Sequence, residues 1–377
     1  MLVLALVDEL IPLYPVYALL FADAGLSNGQ ISALYAIWSL VAFVLEVPLG
    51  AFADRIPRRF LLVGAQLVRA VGFGCWVVWP SFAGFALGFV LWGASGAAWS
   101  GTWEALLYDE LGSAERYVRV VGRATALAAA GSLGATALAG PIIAAGGYPA
   151  AGWVSVAVCL IAAAIAAGLP ASGGPQRTDP DAASGYLRTL RSGVSEAVRS
   201  PAVGRLVLIV ALLSGVTAVE EYFALLAGGF GLPAGALPLL MLLPATGYVV
   251  GAEWGGRLGR LSPRRAAWLV AVGVVLFGLG ALSARPMGFV GIAVGYGVFE
   301  CVGLIAGARL QTTLTGPRAT VTSISAVAEE VVALAVFAGF GAFSQRVSLP
   351  VLVAVSVAPV IGLAVLLPRW LPGPAPD

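Results

Sequence analysis

"ISALYAIWSLVAFVLEVPLGAFADRIPRR", residues 31–59, is the stretch on which the rest of the chain turns. Residues 31–53 hold one charge, Glu46, and then Asp54, Arg55, Arg58 and Arg59 crowd together. About 20 apolar residues are what a helix needs to cross a hydrocarbon core about 30 Å thick, at 1.5 Å rise per residue. The basic cluster behind the run marks where the chain leaves the bilayer, on the side where arginine accumulates.

The same pattern repeats in both directions. Apolar stretches lie near 1–22, 30–53, 60–79, 82–110, 122–145 and 149–169, and again near 204–227, 234–256, 266–284, 287–309, 319–343 and 349–367. Gly, Pro, Asn and Arg clusters punctuate them, as in "AGLSNGQ", "WPS", "GGYPA" and "LSPRR". The 377 residues are 60% hydrophobic and 11% charged, against about 25% charged in a soluble domain. With a mean hydropathy of +0.95, neither a soluble fold nor a disordered chain is tenable. Strands of a transmembrane barrel would be about ten residues long and would alternate apolar with polar, which these runs do not. Unsatisfied backbone groups in lipid leave helix as the remaining form.

Orientation follows from the basic residues, all 21 of which are arginine. Eighteen fall on one side: Arg55, Arg58, Arg59, Arg116, Arg119, Arg123, Arg177, Arg188, Arg191, Arg199, Arg205, Arg257, Arg260, Arg264, Arg265, Arg309, Arg318 and Arg369. Arg285 and Arg346 face the other side, and Arg69 lies inside the third span. The expectation is a multi-pass protein of the cell inner (cytoplasmic) membrane with both termini in the cytoplasm. The first stretch has no basic lead-in and no signal-peptide cleavage pattern, so it reads as a first helix with a short or missing cytoplasmic flank.

The longest polar interval, 170–203, opens as a Pro/Gly/Ser-rich linker. It then spaces Leu187, Leu190, Val194 and Val198 as a short amphipathic helix at the cytoplasmic interface. The fold expected is an all-α polytopic membrane protein of about twelve helices. A six-helix half spans 1–169, the linker 170–203, a second six-helix half 204–370, and a short tail 371–377. The halves echo each other: "GAFADRIPRR" begins at Gly50 and "GGRLGRLSPRR" at Gly255. Internal repeats of this type accompany alternating-access transporters.

On those residues the chain resembles the major facilitator superfamily. Gly50-x-x-x-Asp54-Arg55-x-x-Arg58-Arg59 looks like its loop 2–3 signature, with Pro57 where a glycine is usual, and the second copy carries Gly259 at the acidic position. "LEVPLGAFADRIPRR", "SGTWEALLYDEL" and "LTGPRATVTSISA" are similar to segments of a bacterial branch of drug and metabolite exporters. The resemblance implies a conformational latch made of Gly50, Asp54, Arg55 and Arg58, and a structural role for Glu46 with Pro48. Gly140 and Pro141, in the glycine-rich fifth span, resemble a degenerate form of the superfamily's antiporter motif; close helix packing explains them equally well.

Acidic side chains inside spans are the sharper functional signal, because a carboxylate in hydrocarbon must face a cavity or a partner. Asp8, Glu9, Glu104, Glu220, Glu300 and Glu329 are the cavity or proton-coupling candidates, with Arg69 the single mid-span base. Glu104 is placed to pair with Arg69 or Arg123, and Glu300 lies near enough to Arg309 for a structural ion pair. In Asp8–Glu9, Glu220–Glu221 and Glu329–Glu330, helical geometry turns the two members about 100° apart, leaving open which one faces inward. An unpaired carboxyl at such depth can carry a proton, which suits proton coupling. Trp76, Trp79 and Tyr148 read as an interfacial belt, while Tyr14, Trp38, Trp99, Trp103, Tyr222 and Tyr248 lie deeper, where some could stack on a lipophilic cation.

The function expected is secondary transport of a small, hydrophobic compound by alternating access, as proton-coupled efflux, working as a monomer among membrane lipids. A uniporter or importer of a neutral metabolite, a non-transporting structural or signalling protein, and a membrane-embedded enzyme are the alternatives. No histidine, no lysine and no phosphate-binding glycine loop are present, so no catalytic residue, metal, cofactor or nucleic-acid partner is expected. Cys75, Cys159 and Cys301 are scattered and form no metal or disulfide pattern.

Overall fold

The computed structural model describes residues 1–53, 56–111, 114–170, 200–313 and 318–373. Asp54, Arg55 and the expected amphipathic linker helix lie outside the described residues. Within them there is no strand, as the bilayer's intolerance of unpaired backbone demands. The helices of the first half are α1 (Leu2–Asp8), α2 (Tyr17–Asp23), α3 (Asn28–Ala53), α4 (Arg58–Val78), α5 (Phe82–Leu111) and α6 (Ala114–Ala167). Those of the second are α7 (Pro201–Gly215), α8 (Phe223–Gly228), α9 (Leu237–Arg257), α10 (Pro263–Leu282), α11 (Gly288–Thr313), α12 (Arg318–Phe343), α13 (Leu349–Ser356) and α14 (Ala358–Trp370).

Among the described residues, ten stretches are long and apolar enough to cross a membrane. One of them, Arg119–Ala167, leaves helical geometry at Gly146 and Gly147 and so supplies two crossings. Gly147 sits at φ +67, a left-handed value that glycine adopts without a Cβ clash. Together α1 and α2 form one further crossing, too broken to count as a single helix. Counted so, the described residues supply twelve.

Three crossings are interrupted where the sequence suggests continuous helix. Residues 9–16 separate α1 from α2, because Pro12 and Pro15 carry no N–H and clash with a preceding turn. The Leu13 N–H released by the break donates to Ser155 Oγ on α6 at 3.1 Å, both residues being buried. In the seventh crossing a tighter 3₁₀ turn, Val216–Tyr222, separates α7 from α8. The twelfth bends at Val357, with Pro359 opening the first turn of α14.

The chain divides into two compact units, Met1–Tyr186 with Pro233–Leu239, and Leu187–Leu232 with Leu240–Asp377. In the first, α4 packs on α5 and α6, α3 on α5, and α1 on α6. Its core is aromatic: Phe21, Tyr35, Phe73, Trp76, Phe85 and Phe89 are fully buried. Trp76 is therefore a core residue rather than a member of an interfacial belt. Its indole N–H donates to the Phe85 carbonyl at 3.0 Å, and its ring meets Phe21 edge-on at 5.0 Å. Trp79, three positions further, is 52% exposed and fits the belt.

In the second unit α10 packs on α11 and α14, and α7 on α11 and α12. Lipid tails are as apolar as leucine, so helices here associate through close van der Waals contact rather than escape from water. Gly247 and Gly251, one turn apart on α9, show this. A Cβ at Gly247 would lie 2.2 Å from the Ala293 carbonyl, and one at Gly251 would lie 2.1 Å from that of Gly297.

Gly251→Leu is accordingly expected to destabilise the detergent-solubilised protein by about 1–3 kcal/mol, the range for overpacking a tight contact. Gly256→Leu, with open space around its Cβ position, is expected to leave the melting temperature unchanged. Thermal unfolding of the two variants side by side checks both outcomes.

Candidate functional site

The break between α1 and α2 builds the site in the first unit. α1 ends at Asp8, and Glu9 is its C-terminal cap, so the two carboxylates are no longer fixed about 100° apart within one helix. Both line a cavity of about 350 Å³, together with Tyr14, Gln66, Arg69, Trp92, Ser95, Gly96 and Trp99. For Asp8 and Glu9, then, both members of the adjacent pair line the cavity.

Arg69, on α4, is 6% exposed and Asp8 is 7% exposed. Arg69 Nη2 donates to Asp8 Oδ1, forming a buried ion pair. Gln66 stands one turn before Arg69 on the same helix face. Its amide donates to the same Asp8 oxygen at 2.5 Å, and its carbonyl accepts from Arg69 Nη2 at 2.6 Å. Arg69 Nη1 donates to the Tyr14 hydroxyl at 3.0 Å. A buried pair survives in low dielectric only with such additional hydrogen bonds. Tyr14 is stacked on Trp92 at 5.2 Å, which in turn stacks on Trp38 at 4.9 Å.

Two sequence-based pairings are corrected here. Arg69 is joined to Asp8, not to Glu104, whose side chain is exposed. The reason lies in the interrupted first crossing, which delivers Asp8 to the centre of the unit. Arg309 is likewise not the partner of Glu300. It is 7% exposed and donates to backbone carbonyls of Gly259 at 3.2 Å, Leu261, and Pro372 at 2.5 Å. Loop carbonyls at that helix end hold the two terminal guanidinium nitrogens without a carboxylate, while Nε is buried with no hydrogen-bond partner among the described residues.

In the second unit the acids gather around tyrosines. Glu220 lies in the 3₁₀ turn, is exposed, and accepts a hydrogen bond from the Tyr296 hydroxyl. The rings of Tyr296 and Tyr248 are 5.9 Å apart. Tyr248 is hydrogen-bonded to Glu300, one turn beyond Tyr296 on α11. Glu300 is within electrostatic reach of Glu220 and of Glu329 on α12, and both Glu300 and Glu329 are half-buried. Glu300 thus stands within electrostatic reach of both Glu220 and Glu329, whereas Asp8, Glu9 and Arg69 line one cavity in the other unit. Glu104 joins neither group.

Of the proposed latch, Gly50 lies within α3 and Arg58 opens α4, donating to the Asp109 carboxylate and, at 2.8 Å, to the Ala105 carbonyl on α5. Glu46 and Pro48 sit exposed on α3, Gly140 is buried and Pro141 exposed on α6. Gln66 and Tyr296 escaped the sequence reading. Their signals were the i,i+3 spacing of Gln66 with Arg69 and the i,i+4 spacing of Tyr296 with Glu300. Among the described residues no group of three cysteines or carboxylates converges as a metal site.

The network predicts an asymmetric response to mutation. Arg69→Gln, which strands Asp8, is expected to cost about 3–5 kcal/mol of stability, and the double variant with Asp8→Asn to recover part of that loss. Thermal unfolding of wild type, both single variants and the double variant measures the coupling.

A family model described as Major Facilitator Superfamily matches residues 2–344. Among solved structures, a mutant of the nucleoside transporter NupG aligns with a TM-score of 0.75 at 12% identity, covering 97% of this chain and 96% of that one. A bacterial homologue of the human lysosomal transporter Spinster, inward-facing and unoccupied, aligns with a TM-score of 0.67 at 16% identity, covering 98% of this chain and 90% of the other. No curated protein sequence matches significantly.

Proposed function

The chain belongs to the major facilitator superfamily, a multi-pass membrane transporter rather than an enzyme, and from that premise we propose that it expels a small, hydrophobic compound in exchange for protons. The observation that carries this reading is the pairing of a helix interruption with carboxylates in each unit: Asp8 and Glu9 at the α1–α2 break, Glu220 and Glu221 in the 3₁₀ turn. Interrupted helices at matching places in two repeats are where transporters of this build hold substrate and coupling ion.

The second unit suits proton handling. Its spans carry Glu220, Glu221, Glu300, Glu329 and Glu330, and the stretches 206–256, 266–284, 286–308 and 319–345 contain no basic residue. Charge at that depth is supported by hydrogen bonds instead, as Tyr296 supports Glu220. A carboxylate that is ionised in one orientation and protonated in the other ties reorientation to proton movement, since the ionised form is the costlier one to enclose. Glu220 and Glu329 are the groups we assign to this step, with Glu300 and Tyr248 linking them.

At the cytoplasmic end, Asp54, Arg55 and Arg58 with Gly50 form the proposed latch, and Asp109 holds Arg58 to α5 in readiness. We read the one-sided arginine distribution as setting both termini in the cytoplasm and the protein in the cell inner membrane, and we take it to act as a monomer. A second reading, uniport or import of a neutral metabolite, draws on the polar side chains of Gln66, Ser95 and Tyr14 that line the cavity of the first unit.

Reconstituted vesicles separate the two. With an imposed proton gradient, substrate movement by wild type is expected to accelerate, and Glu220→Gln and Glu329→Gln are expected to lose that acceleration while staying folded. Glu104→Gln should behave as wild type. Counterflow of a neutral compound indifferent to the gradient would establish the second reading, and unchanged gradient dependence in both variants would remove these acids from the coupling step.

A further inference from the structure

We propose that the second unit carries an intramembrane site for a phospholipid, with one acyl chain seated between the eleventh and twelfth crossings and the phosphate at Arg346. The site is independent of the transport reading, since it requires only that these helices lie in a bilayer. A cavity of about 390 Å³ opens there, within the range of ligand pockets, about 300 to 1,000 Å³. α12 forms one wall, α13 and the start of α14 the other, and Leu212 and Val216 of the seventh crossing the floor.

The gap has a structural origin. Residues 344–348 join α12 to α13, a loop short enough to lay two helices side by side. Instead α12 packs on α7 and the 3₁₀ turn, while α13 and α14 pack on α10. Gly215 closes the inner end of the groove, where a Cβ would lie 2.7 Å from the Glu329 carbonyl. Gly339 does the opposite. It lines the groove, and among the described residues nothing lies within 4 Å of the position its Cβ would take. Its missing side chain serves no helix contact and keeps the groove open.

Length, polarity and charge identify the occupant. On α12 the lining runs from Val331 to Phe343, about 18 Å at 1.5 Å per residue. Half of a hydrocarbon core about 30 Å thick is about 15 Å, so the groove follows one leaflet, at the end of α12 away from Arg318. Val331, Phe343 and Val355 are exposed along it, and Leu352 and Val360 are buried in its wall. Ser356 is the one polar residue among the described lining, and its hydroxyl donates to the Val353 carbonyl at 2.7 Å. The walls therefore offer a polar guest no free donor. An acyl chain asks for none, and it restores the dispersion contacts that an empty slot forfeits. At the outer end the Arg346 N–H donates to the Phe343 carbonyl at 2.9 Å, which sets an exposed arginine beside the mouth, at the depth of a lipid phosphate.

The test uses the full chain in vesicles of phosphatidylcholine and phosphatidylglycerol, with rising fractions of a phospholipid bearing a diazirine in one acyl chain. After illumination, adducts on 331–343 and 349–360 are expected to exceed those on the exposed Val272, Val275 and Leu279 of α10 by about fivefold or more, equivalent to about 1 kcal/mol of preference. They are also expected to saturate as the probe fraction rises, which labelling by passing lipid does not. Gly339→Leu is expected to remove the excess and Gly256→Leu to keep it, both variants melting as wild type does. Arg346→Gln is expected to weaken the excess by about twofold or more, the modest effect of an exposed charge contact. Equal, unsaturable labelling of the two regions in wild type would overturn the proposal, and that comparison needs no variant to fold. An excess unchanged by Gly339→Leu or by Arg346→Gln would overturn it too. So would an excess seen with a free diazirine-bearing hydrocarbon and not with the phospholipid, which would give the groove to a free hydrophobe.

Discussion

Charge in hydrocarbon has to be answered by something, and the arrangement around Arg69 is this protein's principal answer. A guanidinium 6% exposed inside a helical bundle is sustainable only because Asp8, Gln66 and Tyr14 converge on it. Convergence requires Asp8 to stand in the middle of the unit, which requires the first crossing to stop being helix there. Pro12 and Pro15 enforce the stop, and Ser155 on α6 satisfies the Leu13 N–H that it frees. Ion pair, helix break and cavity are one construction.

The second unit solves the same problem by a different route. It has no buried cation among its acids, and tyrosines replace arginine as the supporting groups, with Tyr296 on Glu220 and Tyr248 on Glu300. A hydroxyl can stabilise an ionised carboxylate and still tolerate a protonated one, whereas a guanidinium favours only the ionised form. The two halves of the repeat are thus differentiated chemically. One pairs its acid with an arginine, the other supports its acid with a tyrosine hydroxyl. Arg309 marks the same divergence at the arginine-rich helix ends, where it grips loop carbonyls, while in the first half Arg58 grips a carboxylate.

Packing supplies the rigidity that these sites need. In lipid the helices cannot rely on the hydrophobic effect, so backbone contact at Gly247 and Gly251 and interlocked rings around Trp76 do that work. Trp92 connects the aromatic core to the cavity wall through its stacks with Trp38 and Tyr14. The position of the cavity is therefore tied to the least compressible part of the unit.

The pattern first met in residues 31–59, followed along the whole chain, was enough to establish the solvent, the secondary structure and the repeat, because span length and arginine placement are one-dimensional quantities that the bilayer reads directly. The acids of the site were visible as well, since any carboxylate within a span is conspicuous against 60% hydrophobic residues. Their partners were not. Position along the chain offered Glu104 Arg69 or Arg123, and Glu300 Arg309, since it assumes unbroken helices and nearby mates, and it placed Trp76 at an interface by its distance from a loop. Only the tertiary structure chose Asp8 for Arg69, loop carbonyls for Arg309 and Tyr296 for Glu220. Each pairing joins residues about 50 or more apart along the chain, and a hydrogen bond depends on separations in space that no spacing along one helix encodes.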